Sequence, residues 1–186
     1  MREKGTKNER IIKAALDQFS KKGYDKATID DIAKKSKVSK GIVFFYFKKK
    51  ASLVEKVALL SVPLDEIKEV NQKKYQSGEE LLIDFGRSFL KKYEDKKMRN
   101  LLLMTIAGKN RFPVIEDALE TLCFQQMDAM FSKVESLAGG KIPAPLRRAL
   151  FGSLLCYVVW WDKNMLKPSE YVEMLVSQIL KNVVKQ

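Results

Sequence analysis

Residues 28–50 constrain the fold of this 186-residue chain more than any other stretch of its sequence. Thr28 and Asp31 form a capping-box pair at the start of one short amphipathic helix. Ser39 is placed to cap a second short helix at 40–47. The pattern predicts two helices joined by a short turn.

The second of these helices carries more aromatic side chains than its inner face can hold. With Val43 and Phe47 facing the core on a wheel of 100° per residue, Phe44 and Phe45 cannot both be buried. Exposed aromatic rings beside lysines suit a surface that contacts DNA, and Gly41, which costs roughly 1 kcal/mol in a helix, would permit a close approach. The alternative is that both rings pack on the rest of the chain and that the glycine is incidental.

The positive charge is concentrated in the same part of the chain. Residues 1–52 hold 15 Lys and Arg against 6 Asp and Glu, a net charge of +9, out of +12 for the whole chain. A basic segment of this kind favours a polyanionic partner such as nucleic acid. Two alternatives are a basic helical protein bound non-specifically to nucleic acid or membranes, and ordinary solvated helix faces.

Helical periodicity and helix-terminating residues predict an all-α fold of about nine helices. We expect them at 7–22, from Thr28, at 40–47, from Lys50 with a break at Pro63, and at 77–96, 98–108, 113–137, 143–163 and 168–184. The charge asymmetry divides the chain into residues 1–50, with the helix-turn-helix at 29–48, and a helical second domain at 51–186.

The N-terminal segment resembles the DNA-binding domain of the TetR (tetracycline-repressor-like) family of transcriptional regulators. The resemblance rests on Ile11, Ile12, Ala15, Phe19, Gly23, Tyr24, Thr28, Ile32, Ala33, Val38, Ser39, Gly41, Tyr46, Phe47, Lys50 and Leu53. One departure is Lys37, which stands in the turn where the family usually has glycine. If the turn requires positive φ there, the lysine costs about 1 kcal/mol.

This resemblance implies a set of DNA-contacting residues. They are Thr28, Ser39, Lys40, Gly41, Phe44, Phe45, Tyr46 and Lys50. The candidates for reading bases are Lys40, Gly41 and Phe44. The candidates for contacting phosphates are Thr28, Tyr46 and Lys50.

The resemblance also implies that the second domain binds an effector and forms a homodimer through its last two helices. The apolar positions that we expect at the dimer interface are Leu146, Leu150, Leu154, Tyr157, Val172, Leu175, Val176 and Ile179. The alternative is that these residues pack only within the chain.

Aromatic and methionine side chains of the second domain are candidates for an effector pocket. They are Phe85, Phe89, Tyr93, Met104, Phe124, Met127 and Trp160. Methionine adapts readily to apolar ligands, so a small apolar effector is favoured.

The expected function is that of a ligand-responsive regulator, most often a repressor, which binds a palindromic double-stranded operator as a dimer and is released by its effector. The chain has no histidine and no glycine-rich phosphate loop, so we expect no enzyme, no metal site and no cofactor. Cys123 and Cys156 lie in apolar helical stretches and are expected to be buried and reduced, although a redox sensor is an alternative. Without a signal peptide or an apolar run of about 18 residues, we expect a soluble cytoplasmic protein with no membrane partner.

Overall fold

The computed structural model describes residues 5–161 and 166–185. The chain divides into two compact units. The first unit comprises Met1–Val62 and Lys96–Leu119, and the second comprises Pro63–Asp95 and Glu120–Gln186.

The fold is all-α apart from one pair of two-residue strands. The helices are α1 (Lys7–Lys26), α2 (Ile29–Ser36), α3 (Lys40–Tyr46), α4 (Lys50–Ser61), α5 (Leu64–Gln72), α6 (Gly78–Lys92), α7 (Lys96–Gly108), α8 (Pro113–Ala118), α9 (Gln125–Ala138), α10 (Ala144–Val159) and α11 (Pro168–Leu180). A π-helical segment, Leu119–Phe124, joins α8 to α9 without a break, so the described residues contain ten separate helices. No helix among them is both long enough and apolar enough to cross a bilayer.

Several helix ends lie where the sequence predicts them. Gly23 leaves the helical conformation with a φ of 79°, Ser39 caps α3, and Gly139 ends α9 with a φ of 65°. Pro63 separates α4 from α5. These positions are confirmed because each depends on the local preferences of one side chain.

The core of the first unit explains why this unit is larger than the predicted segment 1–50. Phe19, Ile32 and Val43 from the first three helices are fully buried. Leu53 of α4 and Leu101 of α7 complete the same apolar cluster. The packing unit therefore includes α4, α7 and α8, whereas the functional division at residue 50 stays a prediction.

The second unit is built on close packing between α6 and α11. Phe85 and Phe89 lie on the buried face of α6, with their ring centroids 5.9 Å apart. A β-carbon added at Gly86 would lie 2.7 Å from Cγ1 of Val172 on α11. Glycine is required at this point because the two helices approach so closely.

The structure corrects the sequence prediction at three places. An additional helix, α5, follows Pro63 because Leu64, Ile67 and Val70 form a buried stripe. The helix predicted at 143–163 ends at Val159, and the last two predicted positions lie outside the described residues. The final helix ends at Leu180, and Val184–Lys185 pairs in antiparallel register with Gly140–Lys141.

Candidate nucleic-acid interface

The N-terminus of α2 is closed by two reciprocal hydrogen bonds. The Thr28 hydroxyl accepts from the Asp31 amide at 3.1 Å, and the Asp31 carboxylate accepts from the Thr28 amide at 3.0 Å. The Lys22 ammonium, 2.9 Å from the other carboxylate oxygen, acts with these bonds to lower the pKa of Asp31 to about 2. Thr28 is exposed, and a hydroxyl that accepts one bond keeps its own proton to donate. A phosphate oxygen is a suitable acceptor at this helix terminus.

The turn between α2 and α3 passes through Lys37, whose φ of 54° and ψ of 43° are left-handed helical values. Within the described ranges it is the one non-glycine residue with positive φ. Its amide donates to the Lys34 carbonyl at 3.3 Å, and the Val38 amide donates to the Ala33 carbonyl at 3.1 Å. The turn does require positive φ at this position, which costs about 1 kcal/mol for a residue with a side chain.

Helix α3 turns one face inward and presents aromatic rings on the other. Val43 and Phe47 are buried, with 0% and 9% of their surface exposed. Phe44, Phe45 and Tyr46 are 40%, 78% and 39% exposed. The prediction that at least one of the two adjacent phenylalanines is exposed is confirmed, and the alternative in which the protein covers both is wrong.

The first turn of α3 is open to solvent. A β-carbon added at Gly41 would have the Ser39 hydroxyl oxygen, 3.9 Å away, as its nearest neighbour. The Lys40 ammonium lies 3.0 Å from the Asp30 carboxylate in an exposed ion pair. Such pairs contribute at most about 1 kcal/mol, so Lys40 can exchange Asp30 for a base or phosphate at little cost. Sequence reasoning did not identify Asp30 as the ion-pair partner of Lys40. The position of this acidic residue in the first turn of α2 is a signal that could have identified it.

Lys50 begins α4, as the sequence predicts. Its ammonium donates to the Asp25 carbonyl at 2.8 Å, a contact that sequence reasoning did not identify. The ammonium has three donors, so this bond holds the side chain in place and leaves protons for a phosphate. The eight predicted DNA-contacting residues thus lie at the start of α2, along α3 and at the start of α4.

The structure does not gather the seven predicted effector residues around one cavity. Phe85, Phe89 and Tyr93 are buried and pack on one another, and Met104 belongs to the first unit. Trp160 is 61% exposed. Phe124 and Met127 line a cleft of about 460 Å³ in the second unit. Its other lining residues are Asp128, Phe131, Ala144, Arg147, Arg148 and Phe151.

Six of the eight predicted dimer residues are buried within the protomer. Leu150, Leu154 and Tyr157 of α10 are buried by contacts within the chain. Three of the four predicted residues of α11, Val172, Val176 and Ile179, are likewise buried, while Leu146 and Leu175 are half-buried. Since α10 is apolar around much of its circumference, periodicity could not indicate which face turns inward.

The outward face of α10 is mostly apolar or small, with the exposed Arg148 at its edge. It carries Ala149, Gly152, Cys156 and Val159, all exposed and spaced by three or four residues. Met174 on α11 is 58% exposed. These four residues of α10 are called the outward stripe below.

The two cysteines have different environments. Cys123 is buried, and burial raises the pKa of its thiol to about 11. Cys156 is exposed, so the expectation that it is buried is wrong. Both thiols are free, and the raised pKa of Cys123 does not favour the redox-sensor alternative at that residue.

A capped two-helix motif with an exposed recognition face, joined to a helical second unit, defines a helix-turn-helix DNA-binding protein. The sequence profile of the family "Bacterial regulatory proteins, tetR family" matches residues 11–57. Residues 11–57 are thus similar to the DNA-binding domain of this family.

Two curated relatives resemble part of the chain. The HTH-type transcriptional regulator YvdT of Bacillus subtilis is 44% identical over 64 residues, which cover 33% of each protein. IcaR of Staphylococcus aureus, the negative transcriptional regulator of the biofilm operon icaADBC, is 34% identical over 92 residues. That match covers 49% of this chain and 50% of IcaR. The chain thus spans half or less of the length of these relatives.

Solved structures share the fold over nearly the whole chain. A transcriptional regulator from Rhodococcus superposes with a TM-score of 0.75 at 17% identity, covering 96% of this chain and 98% of the other. FadR of Bacillus subtilis, in complex with stearoyl-CoA, superposes with a TM-score of 0.72 at 16% identity. That superposition covers 95% of this chain and 100% of FadR.

Proposed function

We propose that this protein is a ligand-responsive transcriptional repressor that binds a palindromic operator as a homodimer in the cytoplasm. The observation that carries the proposal is the outward face of α3, where Phe44, Phe45 and Tyr46 are exposed beside an open glycine. A soluble protein gains nothing from exposing three adjacent aromatic rings unless a partner covers them. The proposal assigns no catalytic role to any residue.

In the proposed complex, α3 enters the major groove with its first turn against the base edges. Lys40 contacts guanine or phosphate, Gly41 lets the helix backbone approach, and Phe44 contacts a thymine methyl or a sugar. Thr28, Tyr46 and Lys50 donate to phosphate oxygens and fix the orientation of the helix. Ser39 and Phe45 lie beside these contacts.

A dimer is needed because one seven-residue helix reads too few base pairs to select a site. The outward stripe of α10 is the proposed interface: Gly152 allows close approach, and Cys156 and Val159 supply apolar contact. An isologous interface places each of these residues near its counterpart across the two-fold axis. The palindrome then mirrors the symmetry of the protein.

The effector site is proposed at the cleft lined by Phe124 and Met127. Its aromatic and thioether side chains suit a small apolar molecule, and the charged side chains of Asp128, Arg147 and Arg148 also line it. IcaR is a negative regulator by its name, and FadR was solved with stearoyl-CoA, so repression and effector binding both have precedent among similar proteins. By linkage, an effector that binds better to the DNA-free conformation lowers the affinity for DNA.

Selection of duplexes from a random library tests the DNA-binding proposal. The wild-type protein is expected to enrich a palindrome with two half-sites a whole number of helical turns apart. Its affinity for the selected duplex should exceed that for a random duplex of the same length by at least about 1,000-fold. Equal affinities that both fall steeply with salt would instead indicate a non-specific basic protein.

Oxidative cross-linking tests the dimer interface with a native thiol. Because Cys156 lies on the outward stripe, mild oxidation or a short bifunctional maleimide should link two subunits through this residue. Cys156→Ala should remove the cross-linked band on a denaturing gel, and Cys123→Ala, at a buried thiol, should retain it. If gel filtration gives a dimer and wild-type protein does not cross-link, the interface lies elsewhere.

A further inference from the structure

Three helices of the first unit meet at a buried cluster of hydroxyl groups. The Tyr24 hydroxyl lies 2.7 Å from the Thr105 hydroxyl, which lies 2.8 Å from the Ser61 hydroxyl. Ser61 and Thr105 are 0% exposed, and Tyr24 is 4% exposed. The three residues come from the end of α1, the last turn of α4 and the middle of α7.

Counting protons fixes one end of this set of hydrogen bonds. The Ser61 hydroxyl lies 2.7 Å from the Ala58 carbonyl, which can only accept, so Ser61 donates its single proton there. Ser61 is therefore an acceptor toward the other hydroxyls, and the Tyr24 phenol interacts with both Thr105 and Ser61. A backbone carbonyl of α4 is the final acceptor of the cluster.

The hydrogen bonds among the three hydroxyls connect α4 to the segment that follows the break at Gly23. At the other end of the same helix, Lys50 donates to the carbonyl of Asp25, the neighbour of Tyr24. Both ends of α4 are thus connected to the end of α1. The N-terminal end of α4 is connected to Asp25 through the Lys50 side chain, and its C-terminal end is connected to Tyr24 through the hydroxyls. Residues 47–49 join α4 directly to α3, so the position of α4 affects that of the recognition helix.

We infer that Thr105 is a positioning residue for operator binding, which acts by fixing α4 through the Tyr24–Thr105–Ser61 hydroxyl chain. This inference rests on the proposed function. Thr105 lies on α7, well outside the predicted DNA-binding segment, and has no place in the interface itself. Its hydroxyl lies within hydrogen-bond distance of both Tyr24 and Ser61, so its loss removes two hydrogen bonds of the triad.

The contacts within the triad predict an order of effects. Thr105→Val removes the hydrogen bonds to both Tyr24 and Ser61 and should be the most harmful, because buried hydroxyls that lose their partners are costly. Ser61→Ala should be intermediate, since the Thr105 hydroxyl can turn toward a carbonyl of its own helix. Tyr24→Phe leaves the hydrogen bond between Thr105 and Ser61 in place and should be the mildest.

The decisive measurement compares two duplexes, the palindrome selected by the wild-type protein and a random sequence of equal length. Thr105→Val should weaken binding to the selected duplex about tenfold, equivalent to about 1.4 kcal/mol, and change binding to the random duplex less than twofold. Thr105→Ser keeps the hydroxyl and should have the wild-type ratio of the affinity for the selected duplex to that for the random duplex. Ser20→Ala, which removes a buried hydroxyl that donates to the Asp17 carbonyl of its own helix, is the matched control and should leave the ratio unchanged.

Two results would overturn the inference: equal ratios for Thr105→Val and wild type, or an equal loss on both duplexes. Hydrogen exchange of the free proteins separates this inference from the proposed function. Thr105→Val should accelerate exchange of amides in the last turn of α4 and in α3, whereas Ser20→Ala should not. If wild-type protein selects no duplex, the proposed function fails, and the exchange data alone decide whether the hydroxyl chain positions α3.

Discussion

Gly41→Gln is expected to lower the affinity for the selected operator by at least about 100-fold, equivalent to about 2.8 kcal/mol. The folded protein should at the same time be as stable as the wild type or more stable. Within the chain a new β-carbon meets nothing closer than 3.9 Å, and glutamine is a better helix former than glycine by roughly 0.5–1 kcal/mol. In the proposed complex the same side chain occupies space that the duplex needs.

The opposite signs of the two effects make this test specific. Thermal unfolding of the free protein and titration of the selected duplex are the two measurements. Ala107→Gln, at an exposed position on α7 in the same unit, is the matched control and should change neither by much. An unchanged operator affinity for Gly41→Gln would mean that α3 does not approach DNA through its first turn.

Gly152→Arg is expected to convert the protein into a folded monomer and to lower operator affinity by about 100-fold or more. A β-carbon at Gly152 has no neighbour within 4 Å, so the protomer accommodates the arginine. Across the proposed two-fold axis, two arginines would meet in a close apolar contact. The affinity falls because each recognition helix then binds its half-site alone. Linking two such helices in a dimer raises the overall affinity by about 10²–10⁴.

Gel filtration, cross-linking through Cys156 and operator titration together measure this effect. Ala129→Arg places the same side chain at an exposed position on α9 and should remain dimeric. A Gly152→Arg protein that elutes as a dimer with wild-type affinity would exclude this face of α10 as the interface.

Four helical glycines show why tertiary structure was needed for these two predictions. At Gly78 and Gly86 an added β-carbon would lie within 3.0 Å of Val134 and Val172, so the chain itself explains why glycine is present. At Gly41 and Gly152 the chain leaves the space open. All four look alike in the sequence, because what distinguishes them is the identity of a distant neighbour.

Interactions between residues that are near in sequence determine many of the helix boundaries of the first unit. The Thr28–Asp31 capping pair, the Ser39 cap and the break at Gly23 depend on residues within a few positions of one another. The outward position of Phe44 or Phe45 follows from counting how many rings an eight-residue helix can bury. The residues proposed to contact DNA follow from the family resemblance, which rests on the same short segment.

The second unit was predicted less well because its helices are apolar on more than one side. Periodicity identified α10 and α11 but indicated the inner face of each as the dimer surface. Phe85, Phe89 and Tyr93 were grouped as pocket residues although they fill the interior. Composition shows that a side chain prefers to be covered, and it does not show whether the same chain, a ligand or a second subunit covers it.

The sequence alone determined the all-α class, the helix-turn-helix at 29–48 and the TetR-family resemblance, because these depend on short-range patterns. Tertiary structure alone decided which face of α10 remains exposed, that Cys156 is accessible, and that Tyr24, Ser61 and Thr105 share one set of hydrogen bonds. These residues lie up to 81 positions apart in the chain. No local preference of any of them specifies the others as neighbours, so the contact exists only once the three helices have packed.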